Sequence, residues 1–334
     1  MSTSAKINTV IKENSRIWQK YNVIRQIGGG GMGMVYEVRL KANPNISYAL
    51  KYYISNGNDS NKRRFDSEVN LLKQIKSQYV PKVFEYYANE DERYYVMEYI
   101  KGITLEDHIR THGYLNTKQL VFYAKQLASV VEEIHNLNII HRDIKSSNII
   151  VSDSSKIYLI DFGISLSDDS QRYTKTNAVI CSPYYTAPET IQKGGVITHL
   201  VDIYAIGIVL FEMCVGRYPF EGKDAKATLF MHSNETFPDP RKFRKMSSAL
   251  ANIIIKCTAK NPQQRYQTVR EIIDDLNVCL DSNRWFDAPI STKTLKPKQS
   301  LPEFVNSNKW LYIVMGLVVI IIFALIIVLL IKPW

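Results

Sequence analysis

The chain has 334 residues and a formal net charge of +10; 46% of its residues are hydrophobic and 22% are charged. That is enough apolar sequence for a large buried core, and it excludes a disordered chain, a collagen-like chain and a disulfide scaffold. Cys181, Cys214, Cys257 and Cys279 never occur as C-x-x-C pairs, which argues against a zinc site and for packed thiols. The positive balance admits nucleic acid, anionic lipid or a nucleotide as ligand and does not choose among them.

Residues 1–20 show some helical pattern around Val10, Ile11, Ile17 and Trp18 and carry no evident chemistry. From Tyr21 to Leu40 apolar and polar residues alternate on both sides of a glycine cluster, which predicts two antiparallel strands joined by a loop. Gly28, Gly30 and Gly33 fall at G-x-G-x-x-G spacing with Val35 two residues on, so that bare backbone can lie over phosphate oxygens. A plain hairpin turn and a dinucleotide fingerprint compete for such a match. The dinucleotide loop must open a helix, whereas Met34–Leu40 reads as a strand. The run ISYALKYY predicts a third strand carrying Lys51, a cation in an apolar setting that calls for a partner. Glu68 is the candidate, on a predicted helix whose Phe65, Val69 and Leu72 recur at helical spacing; two unrelated surface charges are the competing reading.

Residues 141–148 read HRDIKSSN, and Asp161, Phe162 and Gly163 follow the apolar strand IYLI. Asp143 can orient a hydroxyl and accept its proton, Lys145 can neutralise a moving phosphoryl group, and Asn148 with Asp161 offers hard oxygen ligands for Mg²⁺. Between Gly163 and Ala187 lies a polar segment containing Ser165, Ser167, Ser170, Thr174, Thr176 and Ser182, and then comes Ala187-Pro188-Glu189. The glycine loop, Lys51, Glu68, HRDIKSSN, DFG and APE follow one another along the chain in that order, a joint occurrence that coincidence does not explain.

On these motifs residues 21–281 resemble a eukaryotic-type (Hanks-type) protein kinase domain, most similar to bacterial Ser/Thr kinases and notably the cytosolic halves of PASTA-repeat receptor kinases. The shared features are the I-G-G-G-G-M-G loop, Val96-Met97-Glu98-Tyr99 and Thr174-Lys175-Thr176, while the extracellular repeats have no counterpart. The resemblance implies an α+β bilobal fold, with a β-rich small lobe over 21–100 and a mainly helical large lobe over 101–281. It implies ATP and Mg²⁺ as cofactors, with Mn²⁺ as an alternative metal, and Ser or Thr hydroxyls of proteins as acceptors.

Carried across residue by residue, the resemblance makes Met97 the gatekeeper and assigns adenine to the backbone of Glu98 and Ile100 and to a slot formed by Val35, Ala49 and Ile150. It stacks Val83, Leu72, Phe162 and His141 in one column, and has His141 brace its loop by bonding to Asp202. Glu189 and Arg265 become a buried ion pair. Lys145 marks the Ser/Thr type. Ser182 stands where a Thr usually bonds the catalytic Asp and Lys, and Cys181 replaces a Gly. Arg142 would meet a phosphate on the loop, so autophosphorylation of Thr174 and Thr176 is expected. Pairing of small lobes into a homodimer is a further expectation of the resemblance.

Residues 282–309, with Pro289, Pro297 and Pro302 among Ser, Thr, Lys and Asn, read as a juxtamembrane tether. Leu311–Ile331 has no charged residue, which predicts a membrane helix over 310–331 with Trp310 and Tyr312 at the interface and an outer tail of 332–334. Lys293, Lys296, Lys298 and Lys309 precede that span and Lys332 alone follows it, which places the kinase-like part in the cytoplasm of a single-pass cell-membrane protein. The expectation is a membrane-anchored Ser/Thr kinase. The alternative is a pseudokinase scaffold that binds ATP or a partner without turnover, against which Lys51, Asp143, Asn148 and Asp161 speak. A nucleic-acid-binding reading lacks a basic-aromatic stripe or DNA-reading helix.

Overall fold

The computed structural model describes residues 9–30, 33–54, 59–162, 182–284, 287–297 and 308–331. Thr174, Thr176 and Cys181, like Gly163 and the other hydroxyls expected in that segment up to Ser170, lie outside the described residues.

The small lobe begins before Tyr21. A short helix α1 (Ile17–Lys20) leads into β1 (Tyr21–Gly30), which pairs antiparallel with β2 (Gly33–Leu40), and β2 with β3 (Asn43–Tyr53). After α2 (Asp59–Gln74) come β4 (Val83–Ala88) and β5 (Arg93–Glu98), and the sheet order is β1-β2-β3-β5-β4. The glycine cluster is the tip of a hairpin: Gly28 faces Val35 and Gly30 faces Gly33, with no helix following. At Gly33 a Cβ would sit 2.3 Å from the Tyr52 carbonyl, so the approach of β2 to β3 requires glycine.

The first face of this sheet receives α2, whose Phe65, Val69 and Leu72 are buried in the main core, as their spacing predicts. The opposite face carries a second core of Tyr36, Val38, Leu50, Tyr52, Tyr94 and Val96, closed by Ile11 and Ile17. The expected helical pattern around Val10 and Ile11 gives way to an irregular strap, with helix only at Ile17–Lys20. Sheet tyrosines hold it: the Val10 and Lys12 amides donate to the hydroxyls of Tyr36 and Tyr52 at 3.2 and 3.4 Å. Arg16 lies over the Tyr87 ring at 4.7 Å. The strap therefore packs as part of the small-lobe core.

The large lobe opens with β6 (Gly102–Thr104), α3 (Leu105–His112) and α4 (Thr117–Asn136), and β6 joins β7 (Ile149–Ser152) and β8 (Ile157–Leu159) in a second sheet. Thr104 and Asn116 accept backbone N–H bonds from Asp107 and Gln119, which is why α3 and α4 begin there. Then follow α5 (Pro188–Ile191), α6 (Leu200–Val215), α7 (Ala225–Asn234), α8 (Ser248–Cys257) and α9 (Val269–Val278). Every residue of α6 from Leu200 to Cys214 is buried, which makes it the pillar of the lobe, and Gly216 at φ 81° ends it in the left-handed conformation. Cys214, Cys257 and Cys279 are buried free thiols; burial pushes Cys214 and Cys279 up to about 11, so they pack as hydrophobes.

The expected tether is partly docked. Asn252 on α8 accepts the Ile290 amide at 2.9 Å and donates to the Ala288 carbonyl at 3.0 Å, while Arg241 donates to the Ile290 carbonyl at 3.0 Å. The last helix, α10, spans Asn308–Ile331; its described side chains, Leu311 and 313–324, are exposed. Among the described residues no helix is long and apolar enough to cross a membrane, a crossing that takes about 20 consecutive residues.

Candidate active site

The cleft between the lobes is built outward from Lys51. On β3, Ala49 pairs with Met97 and Lys51 with Tyr95 across β5, so all four residues share one face of the sheet. The Lys51 Nζ donates to both oxygens of Glu68, at 2.7 and 2.9 Å, and to Asp161 Oδ1 at 3.1 Å. The expected pair is therefore formed, and it extends across the lobes to the DFG aspartate. Burial pulls the Lys51 ammonium down, but the carboxylates of Glu68 and Asp161 more than offset this and hold its pKa well above the ordinary lysine value. Lys51 in turn is the main cause that holds Asp161 below the usual carboxylate range, whereas burial pushes Glu68 up.

The catalytic loop is clamped from beneath by Asp202, the third residue of α6. Its two oxygens accept the backbone amides of His141 and Arg142 at 2.9 and 2.8 Å and the His135 ring at 2.8 Å. The expected brace thus runs through the His141 amide rather than its imidazole. The ring packs on Phe162 with centroids 4.9 Å apart, its Nδ1 accepts the Asp143 amide at 3.3 Å, and burial lowers its pKa so that it stays neutral. Leu72 and Phe162 are buried in one core, with Val83 packed against it. Arg142 and Asp161 adopt positive φ, 65° and 57°, and at Arg142 the amide bond to Asp202 holds this strained backbone in place.

Asp143 presents its carboxylate to the cleft with Oδ2 accepting Lys145 Nζ at 2.8 Å and Asn148 Nδ2 at 2.9 Å. Asn148 Nδ2 also donates to the Asp143 carbonyl at 2.9 Å, so both amide hydrogens are committed and its Oδ1 is the atom left for a cation. Among the described residues no group of three or more His, Cys, Asp or Glu is placed to hold a metal. The Asn148 oxygen and the half-exposed Asp161 carboxylate nonetheless fit Mg²⁺, which takes few protein oxygens and fills its shell with phosphate and water. The Glu98 amide donates to the Lys82 carbonyl at 2.8 Å, so of the hinge groups expected at adenine, Glu98 has its carbonyl to offer.

Glu189 and Arg265 meet as expected, in a bidentate pair at 2.6 and 2.7 Å, and the guanidinium also donates to the carbonyls of Ala259 and Leu200, both at 2.8 Å. Among the described contacts Ser182 acts through its carbonyl, which accepts the Thr186 hydroxyl at 2.9 Å; no hydroxyl bond from Ser182 to Asp143 or Lys145 is found there. Ser146, adjacent to Lys145, instead donates to Glu212 Oε1 at 2.9 Å and shares a 2.8 Å bond with the Tyr185 hydroxyl, which donates to Glu212 Oε2 at 2.6 Å. This link between the catalytic loop and the segment that leads into α5 has no local sequence signal. The Tyr95 hydroxyl, which donates to Glu68 Oε1 at 2.9 Å, had one: strand alternation sets Tyr95 and Met97 on one face.

Residues 21–276 match the family described as protein kinase domain. Among curated proteins the chain is 34% identical over 273 residues to the serine/threonine-protein kinase PrkC of Bacillus subtilis, covering 80% of this chain and 42% of that protein. It is 32% identical over 260 residues to a probable serine/threonine-protein kinase PknB of Lactococcus lactis, covering 77% and 41%. The chain therefore spans less than half the length of these relatives. Among solved structures, Rad53 1-466 in complex with AMP-PNP superposes with a TM-score of 0.65 at 20% identity, covering 78% of this chain and 65% of that one, which is a likeness of fold.

Proposed function

The chain belongs to the protein kinase family, in its bacterial serine/threonine branch, and on that premise we propose that it transfers the γ-phosphate of ATP to Ser or Thr hydroxyls of proteins. The observation that carries the proposal is the continuous chain of contacts from Glu68 through Lys51 to Asp161, facing Asp143 with Lys145 and Asn148 in the same cleft. A binding-only scaffold has no need of an oriented carboxylate held by two donors. Gly28, Gly30 and Gly33 would cover the phosphates, Val35, Ala49, Met97 and Ile150 would enclose adenine, and Lys51 would pair with phosphate oxygens. Asp143 would orient the acceptor hydroxyl and take its proton, and Lys145 would offset charge on the transferring group. Mg²⁺ held by Asn148 and Asp161 would neutralise phosphate charge.

Three finer elements belong to the same proposal. Thr174 and Thr176 become autophosphorylated, the phosphate pairing with cations near the catalytic loop such as Arg142. A C-terminal anchor in the bilayer belongs to the proposal on the strength of the sequence alone, the uncharged run Leu311–Ile331. Association of two copies through the small lobes would let one chain phosphorylate the other, and an anchor would raise the local concentration.

The test incubates the full chain in lipid with Mg²⁺-ATP and a generic basic substrate protein, beside Asp143→Asn, with phosphosites mapped by mass spectrometry. Phosphate on Thr174, Thr176 and substrate with the wild type alone is the expected result. ATP binding without transfer would move the chain to the scaffold class.

A further inference from the structure

Tyr95 stands at the point where α2, β3 and β5 meet. It is buried, and its hydroxyl reaches Glu68 Oε1 at 2.9 Å, the same oxygen that accepts Lys51 at 2.7 Å. Its ring packs on Phe65 with centroids 5.4 Å apart, and Phe65 in turn on Tyr53 at 5.5 Å. Phe65 and Glu68 lie one turn apart on α2, so one side chain of the rigid sheet grips that helix at an apolar point and a polar one. The ring also lies 6.0 Å from the Lys51 ammonium.

A phenol hydroxyl buried this deeply requires a partner, and Glu68 is the acceptor found for it among the described residues. The consequence is mutual. If α2 shifted outward, Lys51 could keep its bond to Asp161, as the 3.1 Å contact shows, but the Tyr95 hydroxyl would be left in apolar surroundings. The tyrosine therefore penalises the arrangement in which Lys51 and Glu68 are apart, which the ion pair by itself does weakly.

We propose that Tyr95 is a positioning residue for phosphoryl transfer: by donating to Glu68 from the sheet, its hydroxyl keeps α2 docked and Lys51 presented to the nucleotide. The inference rests on the kinase reading above. The simpler account, a core tyrosine whose hydroxyl took the nearest acceptor, makes the hydroxyl dispensable for turnover.

Tyr95→Phe separates the two, since it keeps the ring on Phe65 and removes one oxygen. The full chain and this variant would be compared in detergent for kcat, KM for ATP, thermal midpoint, and hydrogen exchange of the α2 amides. A hydrogen bond to a charged group shifts an equilibrium by roughly tenfold to a hundredfold. The expected result is a kcat lowered at least about twofold and up to that factor of roughly a hundred, with little change in KM or midpoint and faster exchange in α2. A kcat changed by less than about twofold, or a loss that merely follows the fraction unfolded, would overturn the proposal. Should the wild type show no turnover, the kinase reading fails by itself, and the exchange arm still decides: unaltered exchange in α2 overturns the tether, faster exchange upholds it.

Discussion

Two buried ion pairs, one in each lobe, show how the same chemistry serves different ends. Arg265 and Glu189 meet bidentately, with the Arg265 side chain wholly excluded from solvent and further bonds to the carbonyls of Ala259 and Leu200. That guanidinium cannot lose its proton and has no second carboxylate among the described residues, so the pair acts as a rivet between α5 and the rest of the large lobe. Lys51 and Glu68 are also buried, but the lysine has a second anion, Asp161, and the glutamate a neutral donor, Tyr95. Such a pair can be rearranged without stranding its cation. A charge that must act on a ligand is kept exchangeable, whereas one that only holds elements together is saturated.

The largest effect expected from this contrast is at the centre the exchangeable pair serves. Asp143→Asn should lower turnover by roughly 10²- to 10⁴-fold with the unfolding midpoint almost unmoved, as read by phosphoryl transfer and thermal melting on one preparation. At the rivet the pattern should invert: Arg265→Leu leaves Glu189 buried and unpaired and should cost about 3–5 kcal/mol in denaturant unfolding.

A third buried carboxyl sharpens the comparison because it has no cation beside it among the described residues. Burial pushes Glu212 up to about 7, against hydrogen bonds from Tyr185 and Ser146 that pull it down. The folded chain thus binds a proton that the unfolded chain has already released above the ordinary value of 4.5. Its contribution is fully present below that value, and stability falls as pH rises toward about 7 and then levels off. Glu212→Gln should remove this slope, worth on the order of 3 kcal/mol, when stability is measured at pH 4.5, 6 and 8. Equal slopes in wild type and variant would put the proton elsewhere.

The smallest expected effect lies far from either pair. Ile17 closes the outer face of the small-lobe sheet, and Ile17→Ala should cost about 2 kcal/mol by chemical denaturation. KM for ATP should follow only as the small lobe loosens, since Tyr52, in the same outer core, adjoins Lys51. An unchanged midpoint would mean that residues 9–20 sit on the lobe without stabilising it.

The site was legible in the sequence because each motif ties a residue type to one chemical task at fixed spacing. Lys51 with Glu68, Asp143 with Lys145 and Asn148, and Glu189 with Arg265 all meet where the motifs require. The docking helix α2 was legible from its apolar spacing, and β1–β2 from alternation. What escaped was held by partners distant in sequence with no pattern of their own. The strap depends on hydroxyls of Tyr36 and Tyr52, the segment after residue 286 on Asn252 of α8 and on Arg241, and the bond from Ser146 to Glu212 spans 66 positions. His141 shows a subtler limit: its link to Asp202 was expected, but the atom that makes it is a backbone amide, which side-chain chemistry does not announce.

The contrast between the pairs is tested most directly by Glu68→Gln and Glu189→Gln assayed side by side for kcat and unfolding midpoint. Glu68→Gln should lose most of its turnover while its midpoint stays near wild type, because Lys51 keeps Asp161, and Glu189→Gln should lose its midpoint because Arg265 has no other anion among the described residues. Equal losses of stability in the two variants, or full turnover in Glu68→Gln, would contradict the division of roles.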